Sequence, residues 1–163
     1  RWEDSRSSSG FNYRMMELQG AIGLAQLEKL DSVVLAQREN AIAIKSKLVD
    51  FPIKFRTIPD GAYETADALV FFVESKAVAL KCREYLLKDG LGTKILPEAY
   101  SWHFAATWDH MKELKATYNC NLEDAFPKSK QIIETAVSIP ITINMKDDVP
   151  DRVSQALEKA FNN

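Results

Sequence analysis

The side chains able to do chemistry gather in two places. The first is Asn12-Tyr13-Arg14, in a short polar loop, Gly10–Arg14, just ahead of a run with helical apolar spacing. A carboxamide and a guanidinium beside a helix start form a donor set for an oxyanion, because N–H groups and the positive helix end both favour negative charge there. The same residues have plainer uses. Asn12 suits a left-handed turn or an N-cap. Arg14 can clamp a phosphate or carboxylate, or pair with Glu17 one turn on. Tyr13 reads as packing.

The second place is Tyr100–Trp108, dense in aromatics: Tyr100, Trp102, His103, Phe104 and Trp108. A lone histidine among aromatics is more often structural than catalytic. The indoles of Trp102 and Trp108 can stack on a sugar face or fill a core. His110 follows His103 by seven positions. Two histidines without a carboxylate or cysteine pattern make no metal site, so none is expected. There is no glycine-rich phosphate loop, nucleophile elbow or pair of catalytic carboxylates.

Composition narrows the classes further. A net charge of −2 with dispersed Lys and Arg argues against nucleic-acid binding. No apolar run approaches the ~20 residues of a membrane span, and no signal peptide is visible. Cys82 and Cys120 lie far apart, which reads as reduced thiols in a cytoplasmic protein. The polar stretch Arg1–Ser9, which opens without methionine, reads as a flexible, cut end.

The elements that must position these groups begin at Met15. Met16, Gly20, Gly23, Leu27, Leu30, Val34, Ala41, Ile44 and Leu48 recur at helical spacing, with Gln37 the one polar member. This is one long helix or two meeting near Asp31-Ser32. Its first half also carries Leu18, Ala21, Ile22, Leu24 and Ala25 on other faces, so it must be covered on most sides. Gly20 and Gly23 cost helix stability and make sense where another backbone comes close. Met15–Leu27 is therefore expected to meet a body beyond this chain's own small core, with the Gly10–Arg14 loop aimed into the same contact.

Further on, Ile53–Ile58 alternates as a half-buried strand and Pro59-Asp60-Gly61 as a turn. Ala68–Val73 reads as a central strand. Ser75 can cap a helix over Lys76–Lys88 whose core face holds Val78, Cys82, Tyr85 and Leu86, with Gly90 as its stop. Leu91–Leu96 is a third strand. A short helix is expected over Asp109–Ala116 and another after Phe126-Pro127, over Lys128–Ala136. Pro140 restricts Ser138–Ile143 to an edge or a strand end. Asp147 or Asp148 caps a last helix, Val149–Phe161, with Val149, Val153, Leu157 and Ala160 on one face. The class is α+β.

The run G-F-N-Y-R-M, then E-L-Q-G-A-I-G-L-A-Q-L-x-x-L-D, then Arg38, resembles the start of the C-terminal part of the DegT/DnrJ/EryC1/StrS aminotransferases, which are pyridoxal-phosphate-dependent sugar aminotransferases of fold type I. The F-P, S-I-P-I and D-D-V segments resemble the family's closing pattern. The likeness implies the small C-terminal domain, a short mainly antiparallel sheet with packed helices and a long N-terminal helix. Residues 1–14 would be a flexible start and active-site loop, and residues 15–163 the small domain, with the large cofactor-binding domain absent.

The resemblance also implies roles. Asn12 would reach across a homodimer to the cofactor phosphate of the other subunit. Arg14 and His103 would face a sugar or nucleotide-sugar substrate, and glutamate would donate the amino group. The lysine that bonds the cofactor and the carboxylate that pairs with its ring nitrogen would lie upstream of Gly10, leaving this stretch inactive alone. The W-H-F and W-D-H variant looks closest to the branch that aminates eight-carbon deoxy-octulosonate sugars, as in lipopolysaccharide. An alternative of another class is a stand-alone α+β module that dimerises through Met15–Leu27, with Asn12 and Arg14 merely capping the helix.

Overall fold

The computed structural model describes residues 14–92, 94–95, 100–108, 110–118 and 121–162, with the main chain alone at 94, 95, 114 and 115. Asn12, Tyr13 and Cys120 lie outside them. The apolar series from Met15 forms two helices, α1 (Glu17–Leu27) and α2 (Leu30–Lys47). They part at Glu28-Lys29, slightly ahead of Asp31-Ser32. There the Lys29 N–H tightens onto the Gln26 carbonyl at 3.1 Å, and the Ser32 hydroxyl donates to the Lys29 carbonyl at 2.8 Å. The chain divides into two units, Arg1–Val33 and Val34–Asn163.

In the first unit α1 has no buried residue. Met15 is 77% exposed and Leu18 and Leu24 are each 67% exposed, with Ile22 and Leu27 similar. A Cβ added at Gly23 would meet nothing within 4 Å, and one at Gly20 only the Met15 sulfur at 3.8 Å. The close neighbour that these glycines anticipate is therefore not a described part of this chain. Each large apolar side chain left in water forgoes about 1.5–3 kcal/mol of burial free energy.

The second unit is built on a four-stranded antiparallel sheet in the order β1-β2-β4-β3, with β1 Lys54–Phe55, β2 Ala68–Phe72, β3 Lys94–Ile95 and β4 Ala136–Pro140. Five cross-strand pairs join β2 to β4, including Leu69 with Ile139 and Phe71 with Val137. Leu69, Phe71, Val137 and Ile139 are buried in one core with the helices α3 (Lys76–Lys88) and α8 (Val149–Asn162) and with Ala41, Ile44 and Leu48 at the end of α2. Gln37 explains its place in the apolar stripe. Its amide donates to the Ile141 carbonyl at 3.4 Å, and Asn40 donates to the Thr142 carbonyl at 2.7 Å.

Ser75 caps α3 as its spacing predicts, accepting from the Val78 N–H at 3.3 Å. Gly90, at φ +72°, closes α3 in a Schellman arrangement, with Leu91 N–H on Leu86 O and Gly90 N–H on Leu87 O, both 2.9 Å. The core face of α3 is Ala79, Cys82 and Leu86, with Val78 and Tyr85 half-buried at its margins. On α8 it is Pro150, Val153, Ala156, Leu157 and Ala160.

Three strands differ from expectation, one of them β3, which pairs at Lys94–Ile95 while Leu91 and Gly92 of the expected Leu91–Leu96 lie outside it. The alternation over Ile53–Ile58 yields only two paired residues, because Arg56 makes one more bond to Val70 O and the chain then leaves for the turn at Gly61, φ +76°. β4 begins at Ala136 rather than Ser138 and lies inside the sheet. Pro140 is tolerated there as its last residue. The short helix expected over Asp109–Ala116 falls a little later, as α5 (Lys112–Tyr118); a further short helix, α6 (Leu122–Ala125), precedes Phe126, and the helix after it is α7 (Pro127–Thr135).

Burial pushes the Cys82 thiol up to about 11, so at pH 8 roughly one molecule in a thousand carries the reactive thiolate. A Cys120→Ser variant should show no titratable thiol to an aromatic disulfide reagent while folded at pH 8, and one after unfolding in guanidinium.

Candidate functional site

The helix start that follows Arg14 is set by Met16, the N-cap of α1, at φ −79° and ψ 153°. The Gln19 carboxamide turns back and accepts from the Met16 N–H at 2.9 Å, half of a capping box. Methionine offers no oxygen to the first-turn amides, and Glu17 supplies the acidic group there. The N-cap role considered for Asn12 thus belongs to Met16. Arg14, two residues ahead of that cap, is exposed.

The aromatic segment lies in the other unit and is sorted by packing. It forms a short helix, α4 (Tyr100–His103), and a 3-10 turn over Ala105–Thr107. Phe104, Ala106 and Leu122 make a small second core against which Tyr100, Phe126 and Ile133 pack. The Tyr100 and Phe104 rings sit 5.0 Å apart. Trp108 is held by its indole N–H, which donates to the Ser101 carbonyl at 2.7 Å, and its ring stacks on His110 with centroids 5.8 Å apart. Trp102 is 75% exposed and His103 is exposed beside it in sequence. Of the two indoles weighed for sugar stacking, only Trp102 is free to meet a ligand broadside; Trp108 is engaged in the fold. An exposed indole followed by an imidazole can cover an apolar sugar face and hydrogen-bond a hydroxyl.

Tyr100, at the start of α4, belongs to a polar anchor with no sequence signature, because its members come from three separate segments. The Tyr100 hydroxyl donates to Glu123 Oε2 at 3.2 Å, and Lys130 Nζ reaches the same oxygen at 3.1 Å. The Lys130 hydrogen bond and charge hold the Glu123 carboxyl below its usual range. Burial, then the nearby Glu123 charge, pushes the Tyr100 phenol up to about 12.

A cavity of about 190 Å³ between α3 and α8 is lined by Tyr85, Lys88, Asp89, Arg152, Gln155 and Lys159, among others. Its cations are already used. Arg152 Nε bonds Asp89 Oδ2 at 2.7 Å and its Nη2 bonds the Asp89 carbonyl, which closes the end of α3. Lys88 pairs with Glu84 at 2.6 Å. Among the described residues no group of three or more His, Cys, Asp or Glu could hold a metal ion, and no helix is long and apolar enough to cross a membrane.

A profile of the DegT/DnrJ/EryC1/StrS aminotransferase family matches residues 1–158. GDP-perosamine synthase of Vibrio cholerae is 25% identical over 159 residues, covering 93% of this chain and 39% of that protein. Among solved structures, the aminotransferase TlmJ from Streptoalloteichus hindustanus aligns with TM-score 0.69 at 16% identity, over 99% of this chain and 40% of that one. Helicobacter pylori PseC, an aminotransferase of pseudoaminic acid biosynthesis, aligns at 0.67 with 19% identity, over 99% and 41%. The E. coli GDP-4-keto-6-deoxy-D-mannose-3-dehydratase with bound hydrated PLP aligns at 0.66 with 17% identity, over 91% and 36%. The chain thus spans about two fifths of the length of its relatives, and the fold is shared by a dehydratase as well as aminotransferases, so shape alone does not select the reaction.

The Glu123 anchor sets a pH window for the small core around Tyr100 and Phe104. A depressed carboxyl contributes stability above its unfolded value of 4.5 that is lost as pH falls through the folded one. The raised Tyr100 phenol contributes stability below pH 10 that is lost as pH climbs towards 12. With Trp2 and Trp102 replaced by Phe, Trp108 fluorescence should report loss of local packing at both limits, and Glu123→Gln should remove the acid limb attributable to this site.

Proposed function

The chain belongs to the DegT/DnrJ/EryC1/StrS aminotransferase family, and on that basis we propose that it is the small C-terminal portion of a pyridoxal-phosphate-dependent sugar aminotransferase. The complete enzyme would move an amino group from an amino acid, glutamate by the family's habit, to a keto or aldehyde sugar, often nucleotide-linked. The observation that supports this most is the family match, which runs through nearly the whole chain and includes both the Asn12 loop and the aromatic segment.

Bound pyridoxal phosphate would supply the electron sink that amino transfer needs. The donors here fit its phosphate end: an amide at Asn12 and a guanidinium at Arg14 precede a helix whose first amides lack helical acceptors. Glu17 sets one negative charge against them. By the family resemblance, the lysine that bonds the cofactor would lie in a segment upstream of Gly10. His103, with Trp102 beside it, would meet the sugar. The exposed apolar surface of α1 would dock on the large domain and on a twin subunit, placing Asn12 at the partner's cofactor. A cytoplasmic homodimer making amino sugars for lipopolysaccharide, and the octulosonate branch in particular, extend this reading. The second reading, a stand-alone dimerising module without catalysis, draws on the same exposed helix.

The decisive experiment uses the protein with its upstream segment. After loading with pyridoxal phosphate and borohydride reduction, peptide mapping should place the modified lysine upstream of Gly10, while residues 1–163 alone retain no cofactor on dialysis. A modified lysine within this chain contradicts the placement of the cofactor lysine upstream, and no modification anywhere contradicts the enzyme reading. Asn12→Ala should weaken cofactor retention by about 10–100-fold, as loss of a hydrogen bond to a charged group does. His103→Ala should raise KM for the sugar and leave cofactor absorbance unchanged.

A further inference from the structure

The sequence holds two Asp-Gly steps, Asp60-Gly61 and Asp89-Gly90, and the structure treats them differently. Both pairs are exposed, and both glycines sit at positive φ, +76° and +72°. At the second step the carboxylate and the glycine amide are both bonded. Arg152 Nε donates to Asp89 Oδ2 at 2.7 Å, and the Gly90 N–H donates to the Leu87 carbonyl at 2.9 Å, inside the stop of α3. The first step forms the middle of a turn that the Ala62 N–H closes on the Pro59 carbonyl at 3.1 Å. Among the described residues the Asp60 carboxyl has no hydrogen bond or ion pair, and the Gly61 N–H has no backbone acceptor. The space around this turn is open, since a Cβ added at Gly61 would meet nothing within 4 Å.

We infer that Asp60-Gly61 is a site of spontaneous main-chain modification, at which the aspartate isomerises to a β-linked isoaspartate. The Gly61 nitrogen attacks Cγ of the protonated Asp60 carboxyl. A nitrogen–Cγ bond forms, the amide proton passes to solvent, and the Cγ hydroxyl takes up a proton and leaves as water. The product is a five-membered succinimide. Water then adds to one of its two carbonyls. Cleavage of the nitrogen–Cγ bond restores aspartate. Cleavage of the bond to the main-chain carbon leaves the chain running through Cβ and Cγ, with a carboxylate on Cα. Nothing is oxidised or reduced, and the isomer has the starting mass. The attack needs the Asp60 carboxyl to fold over the next amide, and glycine permits that motion at the least steric cost. At Asp89 the same motion must first break the Arg152 bond and open the stop of α3. The isomer adds one main-chain atom inside the ring that the Ala62 bond closes. It therefore acts on the β1–β2 connection, where Glu64 pairs with Arg56 at 2.9 Å and with Lys45 at 3.6 Å. This inference does not rest on the aminotransferase reading.

The test ages the 163-residue chain at pH 6 and 37 °C, folded in one arm and in guanidinium in the other. Peptide mapping with electron-transfer fragmentation, which tells the two linkages apart, then locates isoaspartate. In the folded chain it should accumulate at position 60 roughly tenfold faster than at position 89, about the factor that one hydrogen bond to a charged group supplies. In guanidinium, where the Arg152 bond and the α3 stop are gone, the two rates should converge. Asp60→Glu lengthens the side chain by one methylene and takes away the five-membered closure. It should abolish the modification at position 60 and leave position 89 as it was. No isoaspartate at position 60 of the folded chain, or equal accumulation at 60 and 89, would overturn the inference and leave the Asp60 turn as inert as the α3 stop. The comparison of two positions within one wild-type chain decides the matter even if the variant fails to fold.

Discussion

Strand β4 is the member on which the larger unit depends. Ala136, Val137, Ser138 and Ile139 are all buried, and both neighbours in the sheet pair with them. Its side chains meet α3 and α8, and the segment just beyond it offers the carbonyls of Ile141 and Thr142 that Gln37 and Asn40 bond. One five-residue strand thus ties the end of α2, the sheet and the two core helices into a single packed object. A polar residue or a gap at Val137 or Ile139 would be felt by every element at once, because a close-packed interior relaxes only in part around a defect.

Much of this was legible from local chemistry. Ser75, Gly90 and the apolar spacing between them define α3 almost residue for residue, since a cap, a core stripe and a left-handed stop are short-range signals. Pro140 read as a strand end for the same reason: a missing N–H has few places to go. What escaped depended on distant partners. The extent of β1 is set by how far Val70 can follow it. The break between α1 and α2 has no glycine or proline to announce it. The Tyr100–Glu123–Lys130 anchor unites three segments that share no pattern. The candidate site was legible in part. His103 and Trp102 were singled out as types, but which indole stayed free was decided by the bond from Trp108 to the Ser101 carbonyl.

Helix α1 stands against the rest as an element whose composition and surroundings disagree. Its apolar residues lie on most sides and its glycines lower its intrinsic stability, yet within this chain it gains no burial in return. Short helices draw most of their stability from packing on an apolar face. Among the described residues α1 lacks that packing. The Gln19 bond to the Met16 N–H fixes how the chain enters α1.

The two chemical loci consequently differ in how they can be built. Trp102 and His103 ride on a base with its own small core and its own charged anchor, so their presentation can be complete within this chain. Helix α1, which follows the Asn12-Arg14 loop in sequence, has no buried residue within the described structure. Preorganisation of hydrogen-bond donors is what gives a binding group its strength. For α1 the missing term is packing, since Leu18, Ile22 and Leu24, and Met15 just ahead of them, are all left exposed on an 11-residue helix that carries two glycines.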